Sequence, residues 1–180
     1  VSIDGISQNP TEIKIIITLA IPPELTENIK TPPPKARIGM SIDTHYQAPK
    51  QSLWQGRYDS PPGSSFFQVI KMLNLTQQFP PASKQLSFAL LGFSCEEGIR
   101  RNLGRTGAAE GPDALRSVLG KLPIHRHHIS IYDAGNIACR DHDLESAQAA
   151  LGEAVHLLLS NDMIPIVIGG GHEMAWGHYQ

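Results

Sequence analysis

A chain of 180 residues, 41% hydrophobic and 18% charged, holds enough material for one packed domain and too little for two generous ones. Fifteen basic against 17 acidic residues give a net charge of −2, which excludes both a dominant nucleic-acid-binding surface and wholesale disorder. Cys95 and Cys139 are too few for a disulfide framework and fit a reducing compartment. The longest strongly apolar run, Ile15 to Ile21, is seven residues long, where a spanning helix needs about 20. With Lys14 alone before it and Pro22-Pro23 after it, the run is also a poor secretory signal. The expectation is a soluble, cytoplasmic domain with no membrane and no nucleic-acid partner.

Composition divides the chain near residue 82: 11 of the 14 prolines lie at or before Pro81, and 12 of the 16 glycines follow Leu91. Residues 1–39 read as a tail, with Thr31-Pro32-Pro33-Pro34 as an extended linker, and Met40 competes with Val1 as the natural start. Residues 40–85 form a lead-in segment. In it Phe66, Phe67, Ile70 and Leu73 recur at helical spacing, predicting a helix capped by Ser64 or Ser65 and stopped by Pro80-Pro81.

Residues 86–180 alternate in period. Leu86 to Phe93 is an apolar run of strand length, buried on both faces. A Gly-rich loop runs from Ser94 to Gly111. Pro112 then opens a helix with the apolar stripe Leu115, Val118, Leu119 and Leu122 and with Gly120 as its terminator. Ile129 to Asp133 is a second strand. Asp143 caps a long helix whose stripe includes Leu144, Ala147, Leu151, Ala154, Val155 and Leu158, and Asn161 closes it. Ile164 to Ile168 is a third strand, ending in Gly169-Gly170-Gly171-His172. The order β-α-β-α-β implies a parallel sheet with right-handed crossovers and helices on its faces.

In such sheets ligands gather beyond the carboxyl ends of the strands. Two loops occupy that edge. In the triple-glycine turn, glycines let the backbone bend tightly, so that His172 projects into the crevice as a candidate metal ligand. A phosphate-binding turn is the other reading of the same residues, and Glu173 weighs against it by placing a carboxylate where an anion would sit. The loop from Ser94 to Gly111 carries Arg100, Arg101 and Arg105, a candidate clamp for a substrate carboxylate, among four glycines that shape it.

The run ALLGFSCEEGIRRNLGRTGAAEGPDALR, followed by PIVIGGGHEMAWG, resembles the formimidoylglutamase branch of the arginase/ureohydrolase superfamily. Leu53-Trp54-Gln55-Gly56-Arg57-Tyr58-Asp59 is similar to that branch's LWxGRxD, and DAGNIAC and DLExAQ add further matches. The resemblance covers residue 50 to the end. It implies a three-layer α/β/α parallel sheet of the ureohydrolase type, here truncated after the third strand. It also implies hydrolysis of N-formimino-L-glutamate to L-glutamate and formamide in histidine degradation, by a hydroxide bridging two Mn ions. His172 matches a metal ligand, and Arg100, Arg101 and Arg105 lie by analogy near the glutamate end of the small-molecule substrate. By the same resemblance, the remaining ligands of the family belong to a DxHxD motif after the next strand and a DxD motif much later, positions that lie beyond these 180 residues. At most one Mn ligand is therefore present, no catalytic residue is assigned, and the chain is expected to be an incomplete fragment, inactive alone, of an enzyme that forms a homo-oligomer when complete. Agmatinase- or guanidinobutyrase-like specificity and a nucleotide-binding α/β module are the alternatives.

Other chemistry-bearing residues carry plainer readings. Asp143 is a helix cap, so the Asp141-His142-Asp143 cluster is not read as a metal site. His125, Arg126, His127 and His128 make a solvated turn, and His156 lies on a helix face. Trp176 and His178 are expected in core packing, Cys95 and Cys139 are structural, and Asp133 faces the crevice with an unknown partner. A sheet with an uncovered edge is expected to be weakly stable or to self-associate.

Overall fold

The computed structural model describes residues 40–83, 85–125 and 128–179, and the expected tail and proline linker lie outside them. In chain order the elements are α1 (Met40–His45), β1 (Tyr46–Gln47), α2 (Phe66–Val69), β2 (Lys71–Met72) and β3 (Leu86–Ser94). They continue with α3 (Glu97–Arg101), α4 (Gly111–Leu119), β4 (Ile129–Ala138), α5 (Leu144–Leu159), β5 (Met163–Gly169) and α6 (Met174–Tyr179), with short 3₁₀ turns at Gln51–Leu53 and Ala108–Glu110.

The three expected strands form the parallel centre of the sheet. β3 lies in the middle, with Phe88 opposite Ile131 of β4 and Ile164 of β5. Among the described residues the sheet has five strands rather than three, because β1 and β2 both pair with β4. β2 runs parallel beside Tyr132 and Asp133, and β1 runs antiparallel beside Asn136 and Ile137. One edge of β4 is thus covered in two successive stretches. Between them the β3–β4 register shifts, from Leu90 opposite Asp133 to Gly92 opposite Asn136. Gly135 sits in the shift with φ 77°, and a side chain there would strike the Gln47 carbonyl of β1. At the other end of the sheet β5 borders β3 alone among the described residues, a position in which Pro165 is tolerated.

The helix expected from Ser64 to the proline stop is only four residues long. Ser65, one of the two expected caps, forms a capping box with Gln68. Ile70 then turns extended, with ψ 135°, and the Leu73 N–H donates to the Asp133 carbonyl. The three- and four-residue spacing of apolar residues was real, but sheet hydrogen bonds from β4 capture the second half of the segment.

α5 fulfils its reading. The Asp143 side chain accepts from the Ser146 N–H at 3.1 Å, and Ala147, Ala150, Leu151, Ala154 and Leu158 are fully buried against the sheet. Alanine at three of these positions lets the helix approach closely, and each buried leucine stabilises by about 1.5–3 kcal/mol. α4 departs from its reading. Three of its four expected stripe residues are out of the core, with Leu115 45% exposed, Val118 58% and Leu122 47%, while Leu119 packs partly buried against it. The buried face instead carries Pro112 and Arg116. Gly120 has right-handed geometry and terminates nothing by conformation. It is needed because a side chain would press on the Gln55 backbone.

Two cores result. One lies between the sheet and α1 and α5, centred on Leu91, Phe93, Ile137 and Leu151; the other, on the α4 face, gathers Trp54, Ile70, Leu90, Ile131 and Ile168.

Candidate functional site

The end of β5 is stitched to the end of β3. The Gly170 N–H donates to the Phe93 carbonyl and the Gly171 N–H to the Cys95 carbonyl, both at 2.9 Å. Three carbonyl oxygens, of Phe93, Cys95 and Ala108, crowd the place a Gly170 side chain would occupy, so only glycine fits. Those two amides are spent within the protein, which removes them from any phosphate cradle. The Glu173 carboxylate lies at the same turn, bonded to the Gly98 N–H, and weighs further against the phosphate-binding reading. His172 follows, exposed, with no side-chain hydrogen bond among the described residues.

Three glutamates build the facing loop, and sequence reasoning had given them no such role. Glu96 accepts from the Gly107 N–H at 2.6 Å and the Ala109 N–H at 3.3 Å, folding the loop's far end back on its start. Glu173, on the triple-glycine turn, accepts from the Gly98 N–H at 3.2 Å, while its own carbonyl accepts from Gln148 at 2.7 Å. Its carboxylate fills the space where side chains at Gly98 and Gly171 would stand, so the two loops interlock through glycine on both sides. Glu97 is 4% exposed and binds three groups: Arg100 in a fork at 2.6 and 2.7 Å, Arg101 at 3.0 Å and His142 at 2.9 Å. The Arg100 guanidinium first, then Arg101 and His142, hold its carboxyl down at about 2. The Glu97-Arg100-Arg101 spacing, i to i+3 and i+4, is the sequence signal that would have revealed this clamp.

The three candidate arginines therefore differ. Arg100 is engaged by Glu97, and Arg101 by Glu97 and by Glu145 at 2.6 and 3.1 Å. Arg105 is exposed and has no side-chain partner among the described residues. A cavity of about 450 Å³ opens between the loops, lined by Gly98, Ile99, Asn102, Gly104, His172 and Glu173. The structure thus brings His172 to the same cavity as the residue preceding Arg105, and places the Asn102 amide there as well. A second cavity of about 500 Å³, lined by Ser94, Asp113 and Asn136 among others, includes none of the four candidate residues.

The remaining candidates resolve as follows. Asp133 does not face the crevice: it is fully buried and held by Arg116 and Trp54. Trp176 is 59% exposed and His178 is exposed, so neither is core. His142 serves Glu97 and Asp143 serves its helix. Burial pushes the Cys95 and Cys139 thiols up, consistent with structural roles.

Among the described residues no cluster of three or more His, Cys, Asp or Glu side chains could hold a metal ion. A pair of hard cations needs several oxygen ligands. His172 alone does not fit a two-manganese centre.

The arginase family profile matches residues 86–180, a span that includes both loops, and the chain belongs to that family. The parallel-centred α/β sheet is the corresponding part of a ureohydrolase-type fold. The chain is similar to formimidoylglutamases. It is 46% identical over 138 residues to that of Geobacillus thermodenitrificans, covering 74% of this chain and 42% of the relative. It is 47% identical over 130 residues to that of Cupriavidus pinatubonensis, covering 72% and 41%. It is 43% identical over 143 residues to that of Clostridium tetani, covering 77% and 42%. The chain thus spans less than half the length of these relatives.

Proposed function

We propose that these residues form part of a cytoplasmic hydrolase that converts N-formimino-L-glutamate to L-glutamate and formamide in histidine degradation. The supporting observation is that the family match runs through both loops lining the 450 Å³ cavity beside His172. In this reading the amidine end of the substrate lies toward His172 and its carboxylates toward the arginine-bearing loop. Arg105, whose guanidinium is uncommitted, supplies the forked contact to a carboxylate. Arg100 and Arg101, tied to Glu97, keep that loop rigid and give the glutamate end a positive field. Asn102 offers an amide to the same end of the cavity. His172 would supply one imidazole toward a metal centre whose other ligands lie outside these residues, and no metal-dependent step is assigned to this chain. Oligomerisation of the complete enzyme is part of the same proposal.

The test uses this chain extended to the length of its relatives. Formamide release from N-formimino-L-glutamate is expected, with agmatine turned over at least about 100-fold more slowly, since a substrate lacking the carboxylate leaves the Arg105 guanidinium without its partner. Equal or faster turnover of agmatine would sink the substrate assignment. Arg105→Met is expected to raise KM about tenfold or more with little change in kcat, the mark of lost substrate binding.

A further inference from the structure

We infer that Cys95 and Cys139 are a redox pair, which a low-molecular-weight disulfide such as glutathione disulfide closes into a reversible intramolecular bond beneath the His172 turn. The placement rests on the sheet. Ser94 and Ala138 are partners in the β3–β4 ladder, and the Cys139 N–H donates to the Ser94 carbonyl at 3.1 Å, which carries the parallel pairing one residue further. Cys95 and Cys139 are therefore neighbours in step on adjacent chain segments. Both lie on the face that carries α5, where Cys95 belongs to the core and Cys139 packs against it. Adjacent strands stand about 4.7–4.9 Å apart, within the span of about 4.4–6.8 Å that a disulfide bridges between Cα atoms. The two thiols are hydrogen-bonded to each other, and they are the two cysteines of the chain.

The sulfurs differ in access: Cys95 is buried and Cys139 half-buried. Cys139 is accordingly the one that meets the oxidant. Its thiolate attacks one sulfur of glutathione disulfide, forming a mixed disulfide and releasing one glutathione. Cys95 then gives up its proton and attacks the Cys139 sulfur, displacing the second glutathione. The two thiols lose two hydrogens and two electrons, and glutathione disulfide takes them up as it becomes two glutathiones. In a reducing compartment the dithiol is the resting state, and an oxidised glutathione pool drives the pair closed. The position couples the bond to the site, because the two loops join at Cys95. Its carbonyl accepts from the Gly171 N–H at 2.9 Å, its sulfur accepts from the Glu97 N–H at 3.5 Å, and its thiol is hydrogen-bonded to the Glu173 carboxylate. A bond from there to the end of β4 fastens the stem from which both cavity-lining loops spring. None of this depends on the identity of the substrate.

The test is a titration of the folded 180-residue chain in glutathione buffers of rising oxidised fraction, read by intact mass and peptide mapping. The expected product is intramolecular, lighter by two hydrogens, with the Cys95 and Cys139 peptides linked, and dithiothreitol restores the starting mass. Hydrogen exchange at the Gly171 amide should slow several-fold in that product. Cys95→Ala should stop at a glutathione adduct on Cys139, whereas Cys139→Ala should acquire almost none, since its remaining thiol is buried. Four results would overturn the proposal. They are an unchanged mass, a glutathione adduct on Cys139 that persists in the unsubstituted chain, cross-links only between copies, and linkage that appears only after urea has unfolded the chain. All four are read on the unsubstituted chain, so a variant that fails to fold leaves the test intact. None involves turnover, so a failed formamide assay leaves it intact as well.

Discussion

Asp133 shows how much one residue can organise. Its carboxylate accepts from the Arg116 Nε and Nη2 at 2.8–3.0 Å, from the Trp54 indole at 2.7 Å and from the Gly135 N–H at 3.0 Å. Arg116 completes its fork on the Asn136 side chain at 2.7 Å and the Gly135 carbonyl at 2.8 Å. The 3₁₀ turn before Trp54, helix α4 and strand β4 are fastened at one buried point. Removing one partner leaves a buried charge without its counterion, so Arg116→Met is expected to cost about 3–5 kcal/mol in urea denaturation. The double variant Arg116→Met/Asp133→Leu should cost less than the sum of the two single changes, because it strands no charge. Trp54→Phe, which removes one hydrogen bond to a carboxylate, should cost about 1.5–3 kcal/mol. Asp133 was visible in the sequence as an acid in a strand, but its partners lie 17 and 79 positions away, and one-dimensional spacing carries no information about such pairs.

At the scale of elements, the loop from β3 to α4 is ordered by charge and not by an apolar core. Glu97 ties α3 to the turn before α5 through His142, and Arg101 reaches Glu145 on that helix. Because the Glu97 carboxyl is held at about 2 in the folded protein, below its ordinary value of 4.5, its contribution to stability is fully present above about pH 4.5. It is lost as pH falls toward about 2. Hydrogen exchange at the α3 amides should accelerate over that window, and Glu97→Gln should abolish the window while accelerating exchange at pH 7. An unchanged pH profile in the variant would remove Glu97 as the cause. Gly171→Ala should separate the two loops, since the Glu173 carboxylate already fills the methyl's place; loss of protection at the Gly98 amide would report it. The arginine cluster and the triple-glycine turn were legible as special. That two of the three arginines serve a buried glutamate was not, because a guanidinium reads the same in sequence whether it awaits a ligand or already has one.

For the whole molecule, the exposed Leu115 and Val118 of α4 and the β5 edge, unpaired among the described residues, set the solution behaviour. The isolated chain is expected to self-associate weakly, with scattering mass rising with concentration. A monomer with a sharp, concentration-independent melt would contradict it. The α4 stripe was read correctly as apolar, but only Leu119 of it packs against the core. Periodicity finds the side of a helix that prefers burial, but whether anything lies over it depends on chain that the pattern does not contain.

The sequence by itself determined the alternating α/β order, the parallel centre of the sheet, the cap of α5, the glycine turn that presents His172 and the family to which these residues belong. Each rests on local periodicity, on a backbone position open only to glycine, or on a contiguous motif, all of which can be read along one dimension. Tertiary structure alone decided that β4 captures β1 and β2, that Arg116 rather than Leu115 and Val118 turns inward, that Glu97 takes Arg100 and Arg101, and that β5 has no second neighbour among the described residues. Those outcomes depend on which partners distant in sequence satisfy a buried charge or an unpaired edge, and that competition is settled only when the chain is folded in three dimensions.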